Sequence, residues 1–448
     1  MTTTDQDLHE DVHPRRQRFS LLLAALITVP GIVLRLVHLD LPHPLAALIF
    51  GLAIVGAAFL LSWAAEVAQL DISAGLAIAV LAFIAVLPEY AVDLVFAIKG
   101  GNSFEETGPA CLPIDGGTES PCSLALANMT GANRLLIGIG WSMVVFIAWR
   151  RYAKRGEPGR GKEITLERTH SVELSYLALA TAYSLFIPLR GSITLVDAAV
   201  LVGIFAAYTI RISRAPAEEP HLVGPARWIG TFSTGGRRGS VVGLFVFAAA
   251  VILLTAEHFA EELVHSGESL GISEFLLVQW LAPLASEAPE LLVAGLYAWR
   301  LNTNAGLGTL VSSKVNQWTL LVGTLPIAFA IASSSGHGLP IEGQQREEIF
   351  LTAAQSVFAV AVLANLSMNL REAGALFGLF IAQFIVGAVG PESIHDETRI
   401  VTGIIYLVLA AGVFVSNRAA LPGLFRDGFR TSYAAMSVEG GERVEPPR

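Results

Sequence analysis

Residues Leu281–Arg300, "LAPLASEAPELLVAGLYAWR", carry the clearest indication of the fold class. It is apolar enough for a membrane helix, yet it carries Glu287 and Glu290 one turn apart, with Pro289 between them. A carboxylate inside a membrane helix is costly and is a functional-site hypothesis by default. Proline lacks the backbone N–H and therefore leaves a carbonyl of the preceding turn without its partner. The stretch predicts a polar site within a membrane-spanning segment.

The composition of the whole chain predicts the same environment. Only 15% of the 448 residues are charged, 53% are hydrophobic and the mean hydropathy is +0.59. Soluble domains carry about 25% charged residues, and an apolar run of about 20 residues crosses a bilayer as a helix. We therefore predict an all-α polytopic membrane protein with about twelve transmembrane helices. The predicted spans are 19–38, 44–68, 73–98, 122–149, 172–190, 192–212, 241–259, 271–299, 304–331, 349–369, 372–390 and 399–417.

The Lys and Arg residues of the loops predict the orientation, because cytoplasmic loops of membrane proteins are enriched in both. The loops around 150–168 and 211–238, the start of the chain and its end are all basic. Both termini are therefore expected in the cytoplasm, and the protein in a bacterial plasma membrane. "RRQRFSLLLAALITVPGIVLRL" also matches a twin-arginine export signal, but many spans follow it without a clear cleavage site, which favours a first membrane helix.

The same map predicts how the chain is divided. The long stretch 213–240, rich in Pro, Gly and Arg, separates two groups of six spans. It is too short to form a domain of its own. The predicted segments are a cytoplasmic tail at 1–18, a first membrane half at 19–212 with repeat one at 73–149, a linker at 213–240, a second half at 241–417 with repeat two at 271–331, and a tail at 418–448.

The two cysteines of the chain, Cys111 and Cys122, fall in one loop on the predicted non-cytoplasmic side. Two cysteines in an exported loop indicate a disulfide, with two unpaired thiols as the alternative. The spacing does not suggest a metal site. A disulfide here would pin the loop.

The two halves of the chain contain an internal repeat. "LAFIAVLPEYAVDLVFAIKG" at 81–100 resembles the opening stretch, with Pro88-Glu89 matching Pro289-Glu290. Each is followed by a span rich in small residues, "LALANMTGANRLLIGIGW" and "AGLGTLVSSKVNQWTLLVG". The two copies cross the membrane in opposite directions on the predicted map. Inverted repeats with helices interrupted near the midplane are typical of secondary transporters, so both prolines are predicted helix breaks.

These paired segments resemble the repeats of the sodium/calcium exchanger (cation/calcium antiporter) superfamily. The first helix of each family repeat reads G-T-S-x-P-E and the second G-N-x-x-G-S-N-x-x-N. The resemblance implies a ten-helix exchanger core with one extra helix at each end, alternating access, and a secondary active cation antiporter that is not an enzyme. It implies no cofactor, a transported Na⁺, Ca²⁺ or H⁺, and inorganic cations and the lipid bilayer as partners. Nothing in the composition indicates nucleic acid.

The resemblance also implies the ion site. Glu89 and Glu290 match the glutamates that ligate the transported metal ion, and oxygen ligands suit Na⁺ and Ca²⁺. The other implied ion-binding positions are Glu287, Ser286, Ser313, Gln317, Asn128 and Asn133.

The sequence departs from the family pattern at several of these positions. Ala85 and Val86 replace the threonine and serine of repeat one, and Ala132 and Leu136 replace polar residues of its second helix. Several oxygen ligands are thereby lost. In repeat two, Glu287 stands where the family has serine.

Two basic residues also enter the predicted centre. Lys314 replaces an asparagine of the second repeat, and Arg134 directly follows the "GAN" of the first. Against the three glutamates at 89, 287 and 290, they leave one negative charge, which disfavours Ca²⁺. An ammonium near a carboxylate can stand in for a bound cation, and a buried lysine can exchange a proton. We therefore expect proton or monovalent-cation coupling at least as much as Na⁺/Ca²⁺ exchange. The alternative is that each glutamate neutralises a basic residue for stability alone.

Other polar residues leave alternatives open. Asp93 is either an ion-pathway residue or a partner for Arg134. The acids and histidines of 255–269 suggest a metal site or, as we favour, a solvated helix end. Asn365 and Asn369 in the tenth span are expected to hydrogen-bond neighbouring helices.

Two other classes of function compete with transport. A membrane-embedded hydrolase needs an activated nucleophile, paired aspartates or a metal. The chain contains no GxGD, and its HExxH match at 9–13 lies in the predicted cytoplasmic tail, outside the predicted spans. A degenerate exchanger fold that binds but does not transport, as a scaffold or sensor, is favoured by the lost oxygen ligands.

Overall fold

The structure is a computed structural model that describes residues 14–37, 39–71, 87–113, 119–157, 159–215, 222 and 224–438. Long helices dominate it. They are α1 (Pro14–Val37), α2 (His43–Ala68), α3 (Leu87–Thr107), α4 (Pro121–Leu135) continued by α5 (Ser142–Lys154), α6 (Ser171–Ser184), α7 (Leu195–Ile212), α9 (Thr234–Leu270), α10 (Glu274–Trp299), α11 (Thr303–Asn316) continued by α12 (Val322–Ala332), α13 (Gly343–Leu363), α14 (Leu370–Val389) and α15 (His395–Ser416). The shorter elements are α8 (Pro225–Gly230), α16 (Leu421–Phe429), α17 (Tyr433–Val438) and the strands β1 (Glu163–Thr165), β2 (Ser192–Ile193), β3 (Leu339–Pro340) and β4 (Ser367–Asn369).

The all-α polytopic membrane fold is confirmed. Each predicted span overlaps one long helix, although the start of the third span, with Ala85 and Val86, lies outside the described residues. Within the described part of the chain, nine helices are long and apolar enough to cross a membrane. The long helices α3, α10 and α13 do not meet that standard. All three carry buried acidic residues, namely Glu89, Asp93, Glu287 and Glu348.

The prediction for Asn365 and Asn369 is wrong. Helix α13 already ends at Leu363, and β4 then pairs antiparallel with β1. Asn369 is the N-cap of α14, where its Oδ1 accepts hydrogen bonds from the backbone N–H groups of Arg371 and Glu372 at 2.9 and 3.1 Å. An asparagine side chain can accept hydrogen bonds from the free backbone N–H groups at the start of a helix. Asn369 therefore stabilises the start of α14.

The buried apolar side chains form a main core and a separate second cluster. The second cluster packs α1, α2, α8 and α9 together through residues such as Leu61, Ile229 and Ile252. The opposite ends of α2 and α9 join the main core through Phe50 and Phe259. These helices are therefore packed into the rest of the protein at the predicted outer side, while their predicted cytoplasmic halves form a core of their own.

Glycines let the helices of the repeats approach closely. A Cβ at Gly131 of α4 would lie 1.7 Å from the carbonyl oxygen of Gln279 of α10. A Cβ at Gly101 of α3 would lie 2.6 Å from the Cβ of Ala332 in α12. Small residues at helix crossings are the expected way to pack helices in a bilayer.

The loop after α3 is closed by a disulfide. The Sγ atoms of Cys111 and Cys122 are 2.01 Å apart, and both residues are fully buried. A Cβ at Gly100 would lie 3.3 Å from the Cα of Cys122. The start of α4 is therefore fixed against the second half of α3.

The second helix of each repeat contains a π-helical segment at the same place. Leu136–Trp141 separates α4 from α5, and Gln317–Leu321 separates α11 from α12. The segments begin three residues after Asn133 and Lys314, which occupy matching positions of the two repeats. Each π turn holds an extra residue and occurs often at functional sites. The repeat predicted from the sequence thus extends to the backbone geometry.

Candidate functional site

The two Pro-Glu motifs supply acidic side chains to the interior of the helix bundle. Glu89 lies in the first turn of α3 and is 4% exposed. Glu287 of α10 is 2% exposed, and Glu290 on the same helix is half-buried with its Oε2 buried. The predicted break at Pro289 is wrong, because α10 is helical from Glu274 to Trp299. The proline still provides no N–H to the carbonyl one turn earlier. Pro88 lies at the second residue of α3, where a helix tolerates proline.

Each of these glutamates has a carboxylate oxygen without a hydrogen-bond partner in the described structure. Among the described residues, Oε1 of Glu89 and Oε2 of Glu287 and Glu290 are buried and have no hydrogen-bond partner. Gln317 donates a hydrogen bond from Nε2 to Oε1 of Glu287 and also interacts with Glu89, while its own Oε1 is unpaired. Gln317 therefore links the acids of the two repeats. A set of carboxylate and amide oxygens is the chemistry that binds Ca²⁺ and Na⁺.

Lys314 crosses between the repeats. Its fully buried Nζ donates to the backbone oxygen of Asn133 at 2.7 Å and to Oδ1 of the same residue at 2.6 Å. The ammonium also lies over the ring of Trp318, 5.2 Å from its centroid. It is within electrostatic reach of Glu287 and Glu89. The side-chain oxygen of Asn133, a predicted ion ligand, is thus already bound to a cation that belongs to the protein.

The other predicted ion ligands are engaged within the protein to different degrees. Nδ2 of Asn128 donates to Oδ1 of Asp93 at 2.6 Å, so Asp93 is tied to α4. Oδ1 of Asn128 is buried and unpaired in the described structure. The hydroxyl of Ser286 donates to carbonyls of its own helix at 3.2 and 3.3 Å. Ser313 is half-buried beside Lys314.

Arg134 forms its ion pair with a glutamate that lies outside the two repeats. Its Nη2 lies 2.6 Å from Oε2 of Glu348 on α13, and neither Asp93 nor Glu287 neutralises it. The guanidinium also donates to Oε1 of Gln383 at 3.1 Å and lies over Trp280 at 4.9 Å. The pairing of Arg134 with Asp93, one of the two roles left open for Asp93, is therefore wrong, and Arg134 and Lys314 contact separate partners.

Glu348 belongs to a polar stripe that the sequence analysis missed. The stripe runs along one face of α13 and all of its members are buried: Gln345, Glu348, Thr352, Gln355 and Ser356. Their spacing of three and four residues places them on one side of a helix. That spacing, which begins just before the predicted span 349–369 and continues into it, is the signal that would have found them.

The acids and histidines near the outer end of α9 contact one another and side chains of neighbouring helices. Glu261 accepts from Lys99 of α3 at 2.9 Å and contacts His258 at 3.1 Å, and Glu262 contacts His43 of α2 at 2.8 Å. Across the described residues, no group of three or more His, Cys, Asp or Glu side chains is placed to hold a metal ion. These contacts join the outer end of α9 to α2 and to α3.

Comparison with known proteins places these features in a family. The family described as "Sodium/calcium exchanger protein" matches residues 43–213 and 240–387. The matched ranges contain α2–α7, α10–α13 and most of α9 and α14, and they leave out α1 and α15, the extra helix at each end. No curated protein matches the chain.

Solved structures give the same result. The H⁺/Ca²⁺ exchanger CAX is 41% identical over 92% of this chain and 98% of that chain, with a TM-score of 0.82. Native YfkE is 14% identical over 87% of this chain and 100% of that chain, with a TM-score of 0.56, which shows a shared fold. A selenium-substituted form of the Ca²⁺/H⁺ antiporter YfkE gives 15% identity, 88% and 100% coverage, and a TM-score of 0.54.

Proposed function

The chain belongs to the sodium/calcium exchanger protein family, and from this premise we propose that it is a secondary active antiporter that exchanges Ca²⁺ for protons. One observation carries the proposal: three glutamates from the two repeats each keep an unpaired, buried carboxylate oxygen in the interior of the bundle. A buried acid without a partner is costly unless a cation or a proton neutralises it.

Glu89 and Glu290, as the matching members of the repeats, are the proposed ligands of the transported metal ion. Glu287 and Gln317 complete the oxygen set, because Gln317 contacts the acids of both repeats. Ca²⁺ takes six to eight oxygens, so Ser286, Ser313 and backbone carbonyls are the further candidates. The site is proposed to lie near the bilayer midplane.

Lys314 distinguishes this chain from the family pattern. We propose that its ammonium is a tethered cation that occupies the Asn133 oxygen and neutralises part of the glutamate charge. A fixed internal cation reduces the number of external cations that the centre requires. It therefore favours a proton over several Na⁺ as the coupling ion, in agreement with the identity of the 41% relative.

Alternating access requires one group of helices to move against another. The separate core of α1, α2, α8 and α9 makes these helices the proposed moving group on the cytoplasmic side. The ion pair between Lys99 and Glu261 joins that group to α3 at the other side. The proposed location is the bacterial plasma membrane with both termini in the cytoplasm.

The test is Ca²⁺ uptake into proteoliposomes, driven by a proton gradient or by a Na⁺ gradient. Glu89→Gln and Glu290→Gln are expected to abolish uptake, because each removes a charged ligand. Glu105→Gln, an exposed glutamate of the same helix as Glu89, is the matched control and is expected to transport normally. Lys314→Asn is expected to change ion selectivity and the pH dependence of uptake. Uptake driven only by Na⁺, or unaffected by the glutamate variants, would contradict the proposal.

A second candidate, an exchanger fold that binds but does not transport, is favoured by the occupation of Asn133 by Lys314. A ligand that binds the folded state raises the melting temperature. A melting temperature in detergent that rises with Ca²⁺, together with absent flux, would select this candidate. The absence of any shift with Ca²⁺, Na⁺ or pH would select a scaffold.

A further inference from the structure

We propose that Glu348 and Arg134 form a counter-charge pair that sets the cation affinity of the central glutamates without touching the cation. Arg134 places a fixed positive charge one residue from Asn133, the residue that holds Lys314. Glu348 neutralises that charge from the opposite side. The inference rests on the proposed function, since it concerns the affinity of the same centre.

The position of Arg134 is fixed by contacts from several helices. Besides Glu348, its guanidinium contacts Gln383 of α14 and Trp280 of α10, the helix that carries Glu287. Its backbone carbonyl accepts from Gln355 at 3.5 Å. The side chains of Arg134 and Glu348 are 1% and 2% exposed. Neither charge is reached by solvent, so their effects extend further than at a surface.

The compensation of Arg134 is incomplete. Its contact with Glu348 is a close ion pair without hydrogen-bond geometry, and its Nε has no hydrogen-bond partner among the described residues. Glu348 also accepts from Nε of Arg399 at 2.7 Å. Arg399 in turn contacts Asp396, whose side chain is 71% exposed. One carboxylate thus serves two guanidinium groups, and the network reaches the surface.

If the pair only stabilised the fold, removing either residue would be expected to have an effect of the same sign. Breaking a buried ion pair destabilises a protein from either side, because one charge remains unpaired. An electrostatic effect on the centre has opposite signs: removing Arg134 strengthens cation binding, and removing Glu348 weakens it. The charged and titratable groups around this region include Glu89, Tyr90 and Asp93 of α3, Arg134 of α4, Glu287 and Glu290 of α10, Lys314 of α11, Glu347 and Glu348 of α13, and Asp396, Arg399 and Tyr406 of α15.

The expected effect is large enough to measure. Arg134 is within electrostatic reach of Lys314 in the centre. At an effective dielectric constant of about 20, a unit charge at a separation of about 10 Å changes the affinity for a cation by roughly tenfold or more. Arg134→Gln is therefore expected to lower the KM for Ca²⁺ about tenfold without raising kcat. Glu348→Gln is expected to raise that KM by a similar factor. The double variant carries neither charge and is expected to return to within about threefold of the wild type.

The experiment uses the full-length protein in proteoliposomes at one pH, with Ca²⁺ as the probe, and repeats the Ca²⁺ titration by thermal shift in detergent. Arg134→Gln leaves Glu348 paired with Arg399, so this variant tests the proposal even if Glu348→Gln fails to fold. Arg134→Lys and Glu348→Asp keep the charges and are expected to stay near wild-type affinity. Asp396→Asn, at the exposed end of the network, is the control for general electrostatic change.

Two results separate the possible failures. If the wild type neither transports nor binds Ca²⁺, the proposed function fails and the pair has no centre to act on. If the wild type binds Ca²⁺ but Arg134→Gln weakens binding, or leaves it unchanged, the counter-charge proposal is overturned while the proposed function stands. A double variant that binds Ca²⁺ more weakly than both single variants would also overturn the proposal, because it would show that the pair acts through packing.

Discussion

Replacing Gly131 by alanine tests whether the crossing of α4 and α10 sets the geometry of the site. The added Cβ would lie 1.7 Å from the carbonyl oxygen and 2.7 Å from the carbonyl carbon of Gln279, whereas ordinary contacts begin at 3.4 Å. The obstacle is backbone, so it cannot rotate away, and the helices must separate by about 1.5 Å. Overpacking costs about 1–3 kcal/mol and sometimes more, against a gain of about 1 kcal/mol from alanine in a helix. Because the overlap is with backbone, we expect the upper end of that cost and a net loss of about 2 kcal/mol.

The same displacement should impair transport, because α4 carries Asn133 and α10 carries Glu287. Gly203→Ala is the matched control: it lies in α7 with no atom within 4 Å of the added Cβ. Thermal unfolding in detergent and Ca²⁺ flux are measured for both variants. We expect Gly203→Ala to match or exceed the wild type in stability and to keep its flux. If Gly131→Ala unfolds and transports like Gly203→Ala, the close crossing is not a determinant of the site.

Two further predictions concern the ends of the helices. Reduction of the Cys111–Cys122 bond, which closes a loop of 11 residues, is expected to cost about 2–3 kcal/mol and to lower the melting temperature; an unchanged melting temperature after confirmed reduction would contradict this. The hydrogen bonds that Arg237 donates to Asp71 hold the pKa of Asp71 below its ordinary value. The resulting stabilisation is present above about pH 4 and is lost as the pH falls through the lowered pKa. Asp71→Asn should flatten the acid side of a melting-temperature profile, and an identical acid limb in both proteins would exclude this role.

Much of the fold could be predicted from local sequence. Apolar runs, basic loops and the two Pro-Glu motifs predict the spans, the inverted repeat and the family, because each signal depends on neighbours in the chain. The disulfide was predicted for the same reason, since Cys111 and Cys122 are close in sequence. Helix ends were harder to predict. Asn369 lies in a run that the sequence predicts as one apolar span, but it caps a helix because β4 pairs with β1, a segment about 200 residues earlier.

The charge partners within the site could not be predicted, because they depend on how distant helices face each other. Asp93 was one candidate partner for Arg134, yet Arg134 pairs with Glu348 of a helix outside the repeats. Lys314 contacts Asn133 and not a carboxylate at ion-pair distance. One signal was present in the sequence: Glu348 lies in a regular polar stripe. A search for helical polar periodicity that extends a few residues beyond each predicted span would have found the residue, although not its partner.

The contact between Lys314 and Asn133 has a consequence for symmetry. Two inverted repeats are related by a pseudo-two-fold axis in the membrane plane, and matching residues can touch only where they lie beside that axis. Lysine at both positions would set two ammonium groups against each other, and asparagine at both would bring no charge. The lysine–asparagine combination makes the halves non-equivalent at a contact between matching positions. We therefore expect the inward-facing and outward-facing states of the proposed transport cycle to differ in energy.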